Sequence, residues 1–140
     1  MTTGLRWLSA LLVVSACALA QAARAQPEPT AIADAFLAAL EKKEVESGFD
    51  ALLQHAEFDE AKPQDTMLLK TQVRTLFDLY GKTYGYERVL EKKYGDSLLR
   101  LAYLLRFGSS PVVWNFTFYR VGERWTLLHL TFNDQLQGLE

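Results

Sequence analysis

Apolar residues recur at helical spacing through the first half of the ordered-looking chain and at every second position through the rest. Ile32, Phe36 and Leu40 fall four apart, with Glu41, Lys42, Lys43 and Glu44 following on the wet side. This predicts an amphipathic helix that Thr30 can cap and Gly48 can end. A shorter second helix is expected to bury Phe49, Leu52, Leu53 and Ala56 before the polar break at Lys62-Pro63. The third pattern is the clearest. Asp65 stands as its cap, Leu69, Val73, Leu76, Phe77 and Tyr80 form one stripe, and Gly81 lies just past its end.

From Tyr84 onward the period becomes two. Leu99, Leu101, Tyr103, Leu105 and Phe107 alternate with residues that include Arg100 and Arg106, which marks a strand with one buried face. In the next run, Val112 to Val121, the residues Val112, Trp114, Phe116 and Phe118 share one face and Asn115, Thr117 and Tyr119 the other. Turns are supplied by Tyr94-Gly95-Asp96-Ser97, by the four-residue stretch Gly108-Ser109-Ser110-Pro111, and by Gly122. A two-residue turn at Gly95-Asp96 sets Leu90 beside Leu101 on the core face and Glu91 beside Arg100 on the other. In the last strand Trp125 and Leu127 compete with Leu128, Leu130 and Phe132 for the inward side. Either both faces are covered or a bulge falls near Leu128.

Three helices followed by a four-stranded antiparallel meander make an α+β domain with the helices packed on one face of the sheet. This order, with the closing strands Trp114-Asn115-Phe116-Thr117-Phe118-Tyr119 and Trp125-Thr126-Leu127-Leu128, resembles the NTF2-like (SnoaL-like, cystatin-like) superfamily, in particular its small secreted members. The resemblance is architectural and spans about residues 30 to 133. It implies a curved sheet wrapped around a helix, an open conical cavity, and dimerisation through the outer sheet face. The chain departs from many members in showing no early strand between the first helices and the sheet.

Residues 1–25 read as a secretory signal peptide: Arg6 in a short n-region, an apolar run from Trp7 to Ala20, and a small-x-small site at Ala23-Arg24-Ala25. Cleavage after Ala25 leaves residues 26–140 as a single domain in the periplasm or the extracellular medium. Val14-Ser15-Ala16-Cys17 also fits a lipobox, by which Cys17 would anchor the domain as a lipoprotein. The apolar run is shorter than the roughly 20 residues a membrane-spanning helix needs, so no transmembrane span is expected in the mature chain.

Losing Arg6 and Arg24 lowers Lys+Arg from 15 to 13 against 17 Asp+Glu. A net negative chain with no basic stripe among exposed aromatics excludes a nucleic-acid footprint. Cys17 is the single cysteine and lies in the leader, which excludes disulfide scaffolds, Cys-zinc sites and cysteine nucleophiles from the mature domain.

Candidate chemistry is thin. The two histidines, His55 and His129, lie far apart in sequence. His55 with Asp59 or Glu57 falls short of a zinc ligand set, so neither metal nor cofactor is expected. His129 reaches the cavity if Trp125 and Leu127 set the inward parity, and faces out if Leu128, Leu130 and Phe132 do. It is the one weak catalytic candidate, since general acid or base work also needs an orienting carboxylate, and the remaining acids Asp34 and Asp78 belong to helices. Tyr80, Tyr103, Trp114, Phe116 and Trp125 are the candidate lining of a pocket for a small apolar ligand; Tyr84, Tyr86 and Phe118 extend the same set. These residues are equally what the core of such a domain requires. The expected function is a secreted, non-enzymatic binding module for a ligand or protein partner, with dimerisation through the outer sheet face. The alternative is a hydrolase or isomerase using His129 and cavity tyrosines.

Overall fold

The computed structural model describes residues 26–57 and 63–139. The leader, with Cys17 and its cleavage site, lies outside the described residues, as do Asp59 and Lys62. Three helices, α1 (Pro29–Glu41), α2 (Val45–Leu53) and α3 (Pro63–Tyr80), precede four strands. These are β1 (Thr83–Tyr94), β2 (Leu98–Phe107), β3 (Pro111–Val121) and β4 (Arg124–Asn133), followed by a short 3-10 turn at Leu136–Leu139 that packs against β3. All neighbours pair antiparallel in the order β1-β2-β3-β4. No helix among the described residues is long and apolar enough to cross a membrane.

Helix α1 begins one residue before the expected cap, because Pro29 takes the first helical position, where its fixed φ suits the helix and its missing N–H costs nothing. Glu28 is the capping residue and makes no side-chain bond to the helix. Ile32, Ala33, Phe36, Leu37 and Leu40 form its buried stripe. The helix stops at Glu41, and Lys43 turns the chain in a left-handed conformation with φ 61°. Gly48 therefore does not end α1. It lies buried inside α2, where a Cβ would come within 3.1 Å of the Ala39 Cβ. A glycine that reads as a stop signal in one dimension is a close-approach site in three.

Val45, Phe49 and Leu52 complete the buried side of α2, while Leu53 and Ala56 are half-buried. Asp65 falls in the first turn of α3 rather than at its cap, a placement favourable to the helix dipole. Only Val73 and Phe77 of the α3 stripe are fully buried. Gly81 closes the helix as expected, with φ 76° and its amide donating to the Phe77 carbonyl.

The concave face of β2 and β3 follows the alternation read from the sequence: Leu99, Leu101, Tyr103, Leu105 and Phe107, and Val112, Trp114, Phe116 and Phe118, are all buried. The loop between them is three residues, and Pro111 opens β3. The β1–β2 register differs from expectation near the turn. The turn has three residues, Gly95 to Ser97, and pairs Tyr94 with Leu98. That one-residue offset sets Leu90 opposite Ala102 and Glu91 opposite Leu101, which exchanges their faces. An irregularity between Arg88 and Leu90 then restores the alternation, so that Arg88 faces Tyr103 and Tyr86 faces Leu105.

In β4 the bulge is present. Thr117 pairs with His129 and Phe118 with Leu127, leaving Leu128 as the extra residue. Leu127, Leu130 and Phe132 consequently oppose Phe118, Phe116 and Trp114 on the concave side, and His129 and Thr131 oppose Thr117 and Asn115 on the convex side. Among the described residues ahead of the sheet, Ala56 forms an isolated parallel bridge with Leu127, held by the Leu127 amide donating to the His55 carbonyl at 2.7 Å.

Candidate functional site

The five candidate aromatics do not form one pocket. Tyr103, Trp114 and Phe116 have no exposed surface and belong to the core, where Trp114 lies 4.7 Å from the Phe132 ring and 5.2 Å from Phe36. Tyr80 is half-buried at the end of α3 and donates its hydroxyl to Asp134 at 2.6 Å, which raises its pKa. Trp125 alone lines an open cleft. His129 is exposed on the convex face, opposite Thr117 and on the other side of the sheet from Tyr103 and Trp114. Tyr119 is exposed on that convex side as well. Asp78 is exposed, and Asp34 is half-buried on α1. Among the described residues no group of three His, Cys, Asp or Glu side chains could hold a metal ion.

The cleft has a volume of about 260 Å³ and opens where the start of α1 meets the tips of both hairpins. Register explains its lining. The concave residues Lys93 of β1 and Leu99 of β2 pair directly, and Arg120 of β3 pairs with Trp125 of β4. The Arg120 guanidinium lies 5.7 Å from the Trp125 ring centre, a cation–π contact. Glu28 and Thr30 close the helix side, and Gly95 and Asp96 the hairpin side. Because Pro29 lacks an N–H and Glu28 leaves the helix uncapped, the amides of Thr30 and Ala31 have no carbonyl within the helix to bond.

The charges divide into paired and unpaired. Glu91 is 3.5 Å from Arg88, whereas Lys93, Arg120, Glu28 and Asp96 have no ion pair among the described residues. A second groove, between α2 and α3, is different. There Lys70 bridges Glu46 at 3.0 Å and Asp50 at 2.9 Å, and Arg74 also pairs with Glu46, so its charges are already matched.

Deeper along the same concave face lie two buried polar atoms without a hydrogen bond among the described residues, the Tyr103 hydroxyl and the Trp114 Nε1. Burial above all, then the nearby Asp34 carboxylate, pushes the Tyr103 pKa well up, with Arg88 opposing. The hydroxyl makes no well-formed hydrogen bond among the described residues, although Asp34 and Arg88 both stand close enough to act on it. Burial, with Asp34 and Glu41, raises Tyr86 in the same way. Both phenols stay protonated at neutral pH and can donate a proton in a hydrogen bond but not serve as phenolate bases. An unpartnered buried hydroxyl costs about 1–3 kcal/mol. Tyr103→Phe is therefore expected to stabilise the fold by about 1 kcal/mol, read as a higher denaturant midpoint. A lower midpoint would mean that the hydroxyl is held.

His55 occupies the turn after α2, half-buried rather than on an exposed helix face. Burial, then the charge of Arg124, lowers its pKa below the ordinary 6.5. The unfolded chain thus takes up its proton first as pH falls, and stability is full above about 6.5 and declines from there down to the lowered folded value. His55→Asn should flatten that decline in denaturant midpoints measured between neutral and mildly acid pH; an unchanged slope would assign it to other groups.

Neither the known protein-family models nor the curated proteins give a match to this sequence. Two solved structures are similar. One, from Campylobacter jejuni and named as an NTF2-like transpeptidase, shares 12% identity over 74% of this chain and 99% of its own, with a TM-score of 0.50. The other, from Thiobacillus denitrificans, is named for a calcium/calmodulin-dependent protein kinase type II association domain. It shares 17% identity over 79% of this chain and 97% of its own, with a TM-score of 0.49. The helices and the open four-stranded sheet have the NTF2-like fold.

Sequence reasoning placed Trp125 among the candidates but missed Lys93 and Arg120 beside it. The offset at the β1–β2 turn hides Lys93, and Arg120 shares the parity of Phe118 beyond the end of the apolar run. Continuing the alternation of β3 past Phe118 was the signal that could have found it.

Proposed function

We propose that this chain is an exported, non-catalytic NTF2-like binding module that holds a small ligand in the cleft between the start of α1 and the two hairpins. The observation that carries this reading is the apolar floor of Trp125 and Leu99 ringed by Lys93, Arg120, Glu28 and Asp96, which have no ion pair among the described residues, while Glu91 of the same lining is held by Arg88. Such a concave patch with a few polar groups is the usual form of a small-molecule site. The leader is cleaved after Ala25, and the module acts in the periplasm or outside the cell. Two copies join through the convex sheet face, on which Tyr119, His129 and Thr131 are exposed. The hydrolase or isomerase alternative needs His129 and the interior tyrosines together, and they occupy opposite sides of the sheet.

Native mass spectrometry of the protein recovered from the exported fraction tests this reading. A chain beginning at Gln26 with a bound small molecule is expected, lost in Trp125→Ala and kept in His129→Ala. Light scattering at high micromolar concentration should show a dimer. Reproducible hydrolase or isomerase turnover that His129→Ala abolishes, at unchanged thermal stability, would replace the binding reading with the enzymatic one.

A further inference from the structure

We propose that the cleft selects a zwitterion, a free amino acid with an aromatic or apolar side chain. This rests on the binding reading above and adds the chemical class of the ligand.

The argument is one of charge layout. Lys93 and Arg120 rise from the concave sheet on either side of Leu99, since Lys93 pairs with Leu99 directly and Arg120 stands two residues beyond Phe118, the other partner of Leu99. Glu28 and Asp96 stand at the rim, one at the head of α1 and one at the hairpin turn. None of the four has an ion pair among the described residues. A ligand carboxylate seated between Lys93 and Arg120 leaves the ammonium of the same molecule directed towards Glu28 and Asp96. A simple anion would meet two unmatched rim carboxylates, and a simple cation would meet two unmatched sheet cations. Glu91, the third carboxylate of the lining, is already held by Arg88, so a molecule that carries both signs is what satisfies both remaining sets.

Size and floor narrow the class further. A volume of about 260 Å³ lies below the usual range for drug-sized ligands, about 300–1,000 Å³. Trp125 and Leu99 offer apolar contact for a side chain.

The test is calorimetric titration of the exported protein with three probes of one shape: L-phenylalanine, phenylacetate and 2-phenylethylamine. Saturable binding of phenylalanine is expected, with each singly charged analogue at least about tenfold weaker, a difference of about 1.4 kcal/mol. Lys93→Met and Arg120→Met should each weaken phenylalanine by a similar factor, the exposed Lys93 without moving the thermal midpoint and Arg120 with only the small shift that losing its contact with Trp125 brings. Equal binding of either analogue, or phenylalanine binding indifferent to both substitutions, would overturn the proposal. So would silence from all three probes. In that case a small-molecule adduct in the mass spectrum would leave the binding reading standing, and its absence would remove both.

Discussion

Phe36→Ala is expected to lower the stability of the domain by about 3–5 kcal/mol. The ring is 2% exposed and is met edge-on by Phe49 at 5.0 Å, Trp114 at 5.2 Å and Phe116 at 6.0 Å. It therefore joins α1 to α2 and both helices to the sheet. The void left by its removal cannot close, because its walls stand on two separate elements, Phe49 on α2 and Trp114 and Phe116 on β3, each positioned by contacts of its own. Against a typical total of about 5–15 kcal/mol, the variant should show a far lower urea midpoint with unchanged slope. Phe36→Leu, which keeps much of the volume, should cost about 1.5 kcal/mol or less. Equal losses in the two variants would mean that ring volume is not what this position contributes.

The second large effect is expected at Gly48. Alanine there meets the Ala39 Cβ at 3.1 Å, a crowding that a shift of a few tenths of an ångström relieves. Alanine also gains about 0.5–1 kcal/mol in a helix interior relative to glycine, so the two terms nearly cancel. Valine adds two methyl groups against Ala39 and Phe36, which lies 3.7 Å from the same point, and forces α1 and α2 apart. Overpacking of this kind costs about 1–3 kcal/mol. Thermal unfolding of the pair should show alanine near the parent and valine well below it. A valine variant as stable as the parent would show that the two helices are not closely constrained at this crossing.

These two positions also mark where the linear sequence was and was not informative. Phe36 was legible, because its spacing from Ile32 and Leu40 is a property of one helix. The alternation of β2 and β3 was legible for the same reason, and so was the conflict in β4, where two incompatible parities allowed either two covered faces or a bulge near Leu128, and the bulge is the one present. Gly48 was misread because its role depends on Ala39, which only the packing of α1 on α2 brings near. The faces of Leu90 and Glu91 turned on whether the β1–β2 turn holds two residues or three, and Tyr94-Gly95-Asp96-Ser97 accommodates either. The cleft inherits that ambiguity, since Lys93 joins it only in the longer-turn register. The unpartnered Tyr103 hydroxyl was hidden altogether, because the same alternation describes a tyrosine with a partner and one without.

The irregularities of the outermost strands bear on how this protein avoids its own kind. An open sheet ends in two rows of unused backbone donors and acceptors, each a template for aggregation by strand addition. On β1, register shifts near Gly85 and Val89 break that row, and Lys92 and Lys93 place charge along it. On β4 the bulge at Leu128 bends the row, and Ala56 already occupies it beside Leu127. Both ends of the sheet are thereby spoiled as templates for the endless head-on addition of further strands.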